Sequence, residues 1–192
     1  MKNVFLIVVL SFFSCSIMAQ DVSFGVKAGA NFSNAKTEAD SESATGDVKA
    51  GLVLGVFSRM MLTDAFAIQP EILYSQEGYK DGKNAKMNLS YVNIPVMAKV
   101  FLAEGFNLQA GPQLGILAGK KAKIGDERVD IDDMKSINFS LNFGAGYDFE
   151  QGLSIEARYC LGLTNVDDSE LAEFLDMTTK TRSFQLTLGY RF

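Results

Sequence analysis

The chain has 192 residues, of which 47% are hydrophobic, and its 18 basic and 23 acidic residues give a net charge of −5. This acidic balance argues against a nucleic-acid partner. The chain contains no histidine, which excludes the usual Ser–His–Asp triad and a His-ligated zinc site.

Residues 1–19 read as a cleavable signal peptide, with a basic start, an apolar stretch and the small residue Ala19 before the cut. The apolar stretch is too short to cross a bilayer as a helix. A lipoprotein signal with Cys15 acylated is the alternative, although the bulky residues before Cys15 fit it poorly. Cleavage would leave one domain, residues 20–192, with Cys160 as its single cysteine and therefore no internal disulfide.

Eight segments of the mature chain alternate apolar and polar residues, which is the period of a β-strand. They are residues 21–32, 48–60, 66–78, 90–102, 106–117, 136–149, 153–163 and 183–192. Short turns follow the second, fourth and sixth segments, and longer polar connections follow the first, third, fifth and seventh. Transmembrane barrels show this asymmetry, with short periplasmic turns and long external loops. The pattern predicts an all-β fold, an eight-stranded antiparallel up-and-down transmembrane β-barrel in the outer membrane of a Gram-negative bacterium.

The composition of the two strand faces indicates which face meets lipid. The polar face is rich in Gly, Ser, Asn and Gln, which suits the narrow interior of an eight-stranded barrel. The apolar face has no charged residue within the strand bodies, as expected where a midplane Lys or Arg costs about 2–4 kcal/mol. Aromatic residues at the short-turn strand ends are expected to form an interfacial girdle: Phe66, Phe106, Tyr147, Phe149, Tyr190 and Phe192. The alternative is a soluble barrel with an aromatic core.

Five stretches identify a family resemblance: "GVKAGANFSN", "IQPEILYSQEG", "YVNIPVMAKVFL", "LQAGPQLGIL" and "EARYCLGLTNV". In their order and spacing they resemble the PorT-like outer-membrane β-barrel (porin family) proteins over nearly all of the mature chain. The resemblance implies an eight-stranded outer-membrane barrel, and one branch of the family is linked to protein secretion. The ending "LGYRF", with Tyr190 and Phe192, resembles the segment that the barrel assembly machinery reads.

Ionisable residues on the polar face are expected to pair inside the narrow barrel, because burying an unpaired charge is costly. They are Lys27, Lys49, Arg59, Glu71, Glu77, Lys99, Glu156, Arg158 and Arg191. We predict a salt-bridged plug, a lumen charge cluster composed of Lys27, Arg59, Glu71, Glu156 and Arg158. A pair of catalytic carboxylates or a gated ion path is the alternative.

The external connections and the prolines carry further expectations. The loop with Asp126, Asp130, Asp132 and Asp133 could bind calcium but lacks the EF-hand spacing, and a solvated loop is the simpler interpretation. Residues 167–177 predict a short helix over the barrel mouth whose apolar stripe could face a partner. Prolines inside strands predict bulges or locally opened pairing at Pro70, Pro95 and Pro112.

The functional expectation is a structural or adhesive barrel that interacts through its external loops. A narrow channel and a component of a protein secretion or envelope assembly system are the alternatives. Expected partners are outer-membrane lipid, the barrel assembly machinery, and an envelope protein or extracellular ligand at the loops. We expect no enzymatic activity, no catalytic residues, no cofactor and no metal.

Overall fold

The computed structural model describes residues 22–39, 42–45, 47–81, 85–124, 127–129, 136–164 and 178–192. The predicted signal peptide, the four aspartates of the acidic loop and the helix predicted at 167–177 lie outside these ranges. Within them, no helix is long and apolar enough to cross a membrane.

The described chain consists of antiparallel β-strands joined by turns. The strands are β1 (Val22–Ala39), β2 (Glu42–Thr45), β3 (Lys49–Thr63), β4 (Phe66–Asp81), β5 (Ala85–Phe101), β6 (Phe106–Ile124), β7 (Glu127–Val129), β8 (Ile137–Asp148), β9 (Leu153–Gly162) and β10 (Thr178–Arg191). Eight of them form the wall in the order β1, β3, β4, β5, β6, β8, β9, β10. The short strands β2 and β7 extend the ladders of β1 and β6.

The first and last strands close the sheet into a barrel. β10 pairs with β1 from Gly25 opposite Arg191 to Glu38 opposite Thr178, and the Phe192 amide donates to the Phe24 carbonyl oxygen at 3.0 Å. Closure gives each wall strand two neighbours, so no strand of the wall presents an unpaired edge to lipid. The predicted eight-stranded antiparallel barrel is confirmed.

Alternation along each strand separates an apolar exterior from a mixed interior. The outward side chains include exposed residues such as Phe24, Leu54, Ile72 and Phe143. Throughout the predicted strand bodies, every outward position that the structure describes is uncharged. Because side chains alternate faces with a period of two, the same register turns the Ser, Asn, Gln and charged residues inward.

Several strands run further than the sequence predicted. β1 continues to Ala39 and β6 to Ile124, and most of the predicted loop at 79–87 belongs to the β4–β5 hairpin. These extensions are polar and lack the apolar alternation that marks a membrane-facing wall. Backbone pairing alone can continue a ladder where both faces meet water, so the alternation locates the membrane part of a strand better than its end.

Each proline opens the ladder on one side without changing the register. Pairs are missing between β3 and β4 beside Pro70, between β4 and β5 beside Pro95, and between β5 and β6 beside Pro112. A proline has no N–H to donate to its neighbour, which accounts for each gap. Local opening is therefore confirmed. The bulges lie elsewhere, near Met61 and near Ser90, so of the two predicted outcomes the prolines produce locally opened pairing.

Short turns join the strand pairs β3–β4, β5–β6 and β8–β9 at one end of the barrel, as predicted. Gly105 and Gly152 have left-handed φ values of 76° and 87° in two of these turns. A Cβ at either position would also collide with a backbone carbonyl oxygen, of Asp148 or Arg191 respectively. Glycine is thus required twice by the tight turns. We call this end of the barrel the turn side and the opposite end the loop side.

Candidate functional site: an ion network inside the barrel

Four strands bring five buried charged side chains together in the middle of the lumen. Lys27 lies on β1, Glu71 on β4, Lys99 on β5, and Glu156 and Arg158 on β9, and each is at most 3% exposed. We call these five residues the central cluster. In the circular strand order β4 and β9 are opposite each other, with three strands between them on either side. The cluster therefore spans the full width of the barrel.

Arg158 and Glu71 form a two-pronged ion pair across the lumen. Arg158 Nη1 donates to Glu71 Oε2 at 2.7 Å, and Arg158 Nη2 donates to Glu71 Oε1 at 2.6 Å. The Arg158 Nε donates to Gln109 Oε1 at 3.1 Å, which fixes the guanidinium plane. A bidentate pair of this kind is both stronger and more directional than a single contact.

Glu156 connects the remaining cations of the cluster. Its Oε2 accepts from Lys27 Nζ and, at 2.8 Å, from Arg158 Nη2, while its Oε1 accepts from Lys99 Nζ at 2.6 Å. Lys27 Nζ also donates to Glu71 Oε1 at 2.9 Å. All four carboxylate oxygens of the central cluster are therefore bonded to cationic groups. Three cations share two carboxylates, which leaves one positive charge in excess.

A second ion pair crosses the barrel nearer the turn side. Arg59 on β3 donates from Nη1 to Asp148 Oδ2 on β8 at 2.8 Å and from Nη2 to Asp148 Oδ1 at 3.2 Å. These two strands are also opposite each other in the wall. Gln69 links this mouth pair to the central cluster, because it accepts from Arg59 Nε at 2.9 Å and donates to Glu71 Oε1 at 2.6 Å. The two transverse pairs thus form one connected network.

Aromatic side chains pack against the cations of this network. Lys27 Nζ lies 5.4 Å from the centre of the Phe57 ring, and the Arg59 guanidinium lies 5.8 Å from the same ring. Arg59 is also 5.9 Å from the Phe101 ring. Such cation–π contacts lower the cost of holding the cations away from water.

The mouth pair borders an open cavity of about 480 Å³ on the turn side. Besides Arg59 and Asp148, the cavity is lined by Phe101, Phe149 and Arg191, among others. The central cluster lies deeper and does not line this cavity. Within the described ranges, no group of three or more His, Cys, Asp and Glu side chains is placed to hold a metal ion.

The structure brings four of the five predicted cluster residues together: Lys27, Glu71, Glu156 and Arg158. It places Arg59 in the mouth pair instead, where Gln69 links it to Glu71 by hydrogen bonds. Lys99 belongs to the cluster, although the sequence analysis left it out of the plug. Asp148 was also missed, because it directly precedes a turn. It follows the alternation of the inward residues Asn138, Ser140 and Asn142 in β8, and this pattern would have identified it.

The interior has two unlike sides. On β3, β4 and β5, the packed side, lie seven buried hydrophobic residues: Val53, Phe57, Ala67, Leu73, Leu89, Tyr91 and Met97. The polar side, formed by the inward residues of β6, β8, β9, β10 and β1, contains buried polar atoms with no hydrogen-bond partner in the described protein. They are Asn31 Oδ1, Asn107 Oδ1, Gln109 Nε2, Asn142 Oδ1, Ser154 Oγ, Gln185 Nε2 and Thr187 Oγ1. The packed side has no such atom among its described residues.

The predicted assembly segment lies on the turn side at the end of β10. The Tyr190 and Phe192 rings are 6.3 Å apart and both point outward, Phe192 with 72% of its surface exposed. The Tyr147 and Phe149 rings form a second pair on the same side, 4.8 Å apart. The aromatic residues are therefore placed where an interfacial girdle would lie.

Comparison with known proteins places this barrel among outer-membrane proteins. The family described as "Outer membrane protein beta-barrel domain" matches residues 18–168. Neisserial surface protein A is similar in structure, with a TM-score of 0.59 and 15% identity over 89% of this chain and 99% of that one. The attachment invasion locus protein Ail of Yersinia pestis is also similar, with a TM-score of 0.50 and 13% identity over 88% of this chain and 98% of Ail. No curated protein matches the chain.

Proposed function

Because this chain belongs to the outer membrane protein beta-barrel domain family, we propose that it is a Gram-negative outer-membrane barrel with a lumen closed to ions and an interaction surface on its loop side. Export through the signal peptide at residues 1–19 is part of the proposal. So is membership of the PorT-like porin family, for which the five stretches of sequence resemblance are the support.

The closed lumen rests on one observation, the bidentate Arg158–Glu71 pair between opposite strands. An ion crossing the barrel would have to displace these two groups from each other. Charges that are buried and paired attract strongly in a low-dielectric interior, and separating them leaves both desolvated without a partner. The mouth pair of Arg59 and Asp148 adds a second crossing of the same kind.

The interaction role is supported by the unequal ends of the barrel. The turn side has three short turns, whereas β1, β4, β5 and β6 extend as polar hairpins on the loop side. Loop-side segments of this length carry surface that the barrel does not need for its own closure. Functional surfaces are commonly carried by such connections on a rigid scaffold.

Single-channel recording in planar bilayers tests the closed lumen. The folded protein should give no steady step-like current, and the double variant Glu71→Ala/Arg158→Ala, which removes the transverse pair, should give current under the same conditions. The outward-facing double variant Ile72→Ala/Tyr159→Ala is the control and should remain silent. Large stable openings of the unaltered protein would contradict the proposal and favour the channel alternative.

A pull-down from native membranes tests the interaction surface. Residues 82–84 and 130–135, at the loop-side connections, would be replaced by Gly/Ser segments of equal length. Heat-dependent gel mobility should stay unchanged, showing an intact barrel, while the partner recovered with the unaltered protein is lost. A stable complex that survives the replacement would instead favour a component of a secretion or envelope assembly system.

A further inference from the structure

The unpartnered polar atoms of the polar side are arranged in a row. Ser154 Oγ, Thr187 Oγ1 and Gln185 Nε2 lie on the adjacent strands β9 and β10, and all three side chains are buried. In the register, Ser154 faces Gly189, while Thr187 and Gln185 face the cluster residues of β9. Counted from the turn side, the three side chains therefore occupy successive inward positions along the β9–β10 pairing.

The row continues onto the two adjacent strand pairings, β1–β10 and β8–β9. Asn31 faces Gln185 across the β1–β10 pairing, and its Oδ1 is unpartnered. Asn142 on β8 faces Cys160, one inward level beyond Arg158, and its Oδ1 is also unpartnered. Polar atoms that lack a protein partner thus follow the lumen wall past the central cluster rather than collecting at one point.

Both ends of the row reach more open regions. Ser154 pairs directly with Asp148, which lines the cavity on the turn side. On the loop side, beyond Asn142, Asn138 donates to Thr181 Oγ1 and accepts from Thr164 Oγ1 in a partly buried group. The row therefore begins beside the turn-side cavity and ends below the loop-side mouth.

The chemistry of the row identifies its ligand. It combines hydroxyl groups, which donate and accept, with amide oxygens, which only accept, and an amide nitrogen, which only donates. A bound anion would require donors and a bound cation would require acceptors, but this mixture suits a molecule that does both. Water does so, and buried waters bond to polar groups that the protein itself leaves without partners.

We propose that a file of water molecules runs along the polar side from Ser154 past Thr187 and Gln185 to Asn142, so that the barrel passes water across the membrane while the central cluster stops ions. The file lies beside the cluster, not through it, because Arg158 and Glu71 are already fully engaged with each other. Water permeation would be an activity additional to the interaction role of the loop side.

Osmotic shrinkage of proteoliposomes tests the proposal, with an entrapped ion-sensitive dye measured in the same vesicles. Vesicles with the protein should shrink faster than protein-free vesicles, and the dye should report no ion flux. The variant Thr187→Val/Gln185→Leu, which keeps side-chain shape but removes the polar atoms, should lose most of the protein-dependent rate. Leu89→Met on the packed side is the matched control and should keep that rate.

The two measurements separate this inference from the proposed function. Shrinkage equal to that of protein-free vesicles, with correctly folded protein, would overturn the water file alone. Ion flux in the unaltered protein would overturn the closed lumen. Should the double variant not fold, magnetisation transfer from water in the unaltered protein decides: it should reach the Thr187 and Gln185 side chains but not Leu73 or Val53, and its absence at Thr187 and Gln185 would refute the file.

Discussion

The packed side and the polar side of the lumen fill the same barrel in two different ways. On β3, β4 and β5, residues such as Leu73 and Met97 are buried, and the polar groups between them have partners. Ser75 Oγ accepts from Asn31 Nδ2 of β1, and Glu77 Oε1 accepts from Asn93 Nδ2. On the polar side, small polar residues leave seven buried atoms without protein partners. The difference shows that a narrow barrel interior need not be uniform: apolar packing and unpartnered polar atoms lie on different strands.

The central cluster joins the two sides. Glu71 and Lys99 come from the packed side, and Lys27, Glu156 and Arg158 come from the polar side. Other links across the lumen include the mouth pair and the bonds from Asn31 to Ser75 and from Asn142 to Met97. Breaking the cluster, and then comparing single groups on either side, should therefore show how far the sides are independent.

The largest loss of stability is expected from Arg158→Met. This change leaves Glu71 and Glu156 buried with fewer cations, and breaking a buried ion pair from one side costs about 3–5 kcal/mol. The urea midpoint of the folded protein in detergent measures the loss. Glu104→Gln, at an exposed charge in the turn after β5, is the control and should change the midpoint little. Equal losses for the two variants would show that the cluster does not stabilise the barrel.

The packed side is tested by truncating one of its core residues. Leu73 is 1% exposed, so Leu73→Ala should leave a cavity and cost about 2–5 kcal/mol. The adjacent residue Ile72 is 55% exposed and faces outward, which makes Ile72→Ala the matched control. Its loss should be clearly smaller, because lipid can fill the space. A larger loss at Ile72 than at Leu73 would contradict a tightly packed interior on these strands.

A matched pair of Ser→Ala substitutions compares the hydroxyls of the two sides. Ser75 on the packed side accepts from Asn31 Nδ2 at 3.0 Å, whereas Ser154 on the polar side has no protein partner. Ser75→Ala should cost about 1–3 kcal/mol, since it removes the partner of a buried donor, and Ser154→Ala less than about 1 kcal/mol. Chemical denaturation of the two variants measures both. Similar costs would mean that Ser154 makes a bond as strong as that of Ser75.

Sequence alternation was sufficient to predict the barrel, because an inward or outward position depends only on parity once the strand is known. It also placed four of the five cluster residues in the plug, since charge on the inward face has to be paired, but it left out Lys99. It could not tell which cation meets which carboxylate. Arg59 and Glu71 both face inward, but Arg59 lies nearer the turn side, where the opposite strand provides Asp148.

The division of the interior could not be predicted from alternation either. Three of the inward positions are apolar, at Val53, Phe57 and Leu73, and within a single segment such residues only weaken the alternation. They form a packed interior because β3, β4 and β5 are adjacent and their side chains meet at similar depths in the lumen. That information is carried by the registers across the wall, and one strand's sequence does not contain it.

The smallest effect on folded stability is expected at the end of β10, where the polar side closes against β1. Full burial of a Phe side chain is worth about 1.5–3 kcal/mol, but Phe192 is 72% exposed, so Phe192→Ala should cost less than about 1 kcal/mol in the folded barrel. The backbone bond from the Phe192 amide to the Phe24 carbonyl oxygen does not depend on the side chain. If the ending is read by the assembly machinery, the amount inserted in cells should nevertheless fall strongly.

Phe24→Ala is the matched control, because Phe24 is 58% exposed on the adjacent strand but lies outside the ending. Outer-membrane levels and urea midpoints of both variants decide: equal losses of inserted protein would make the effect one of the aromatic girdle, and normal levels of the Phe192 variant would refute the assembly role.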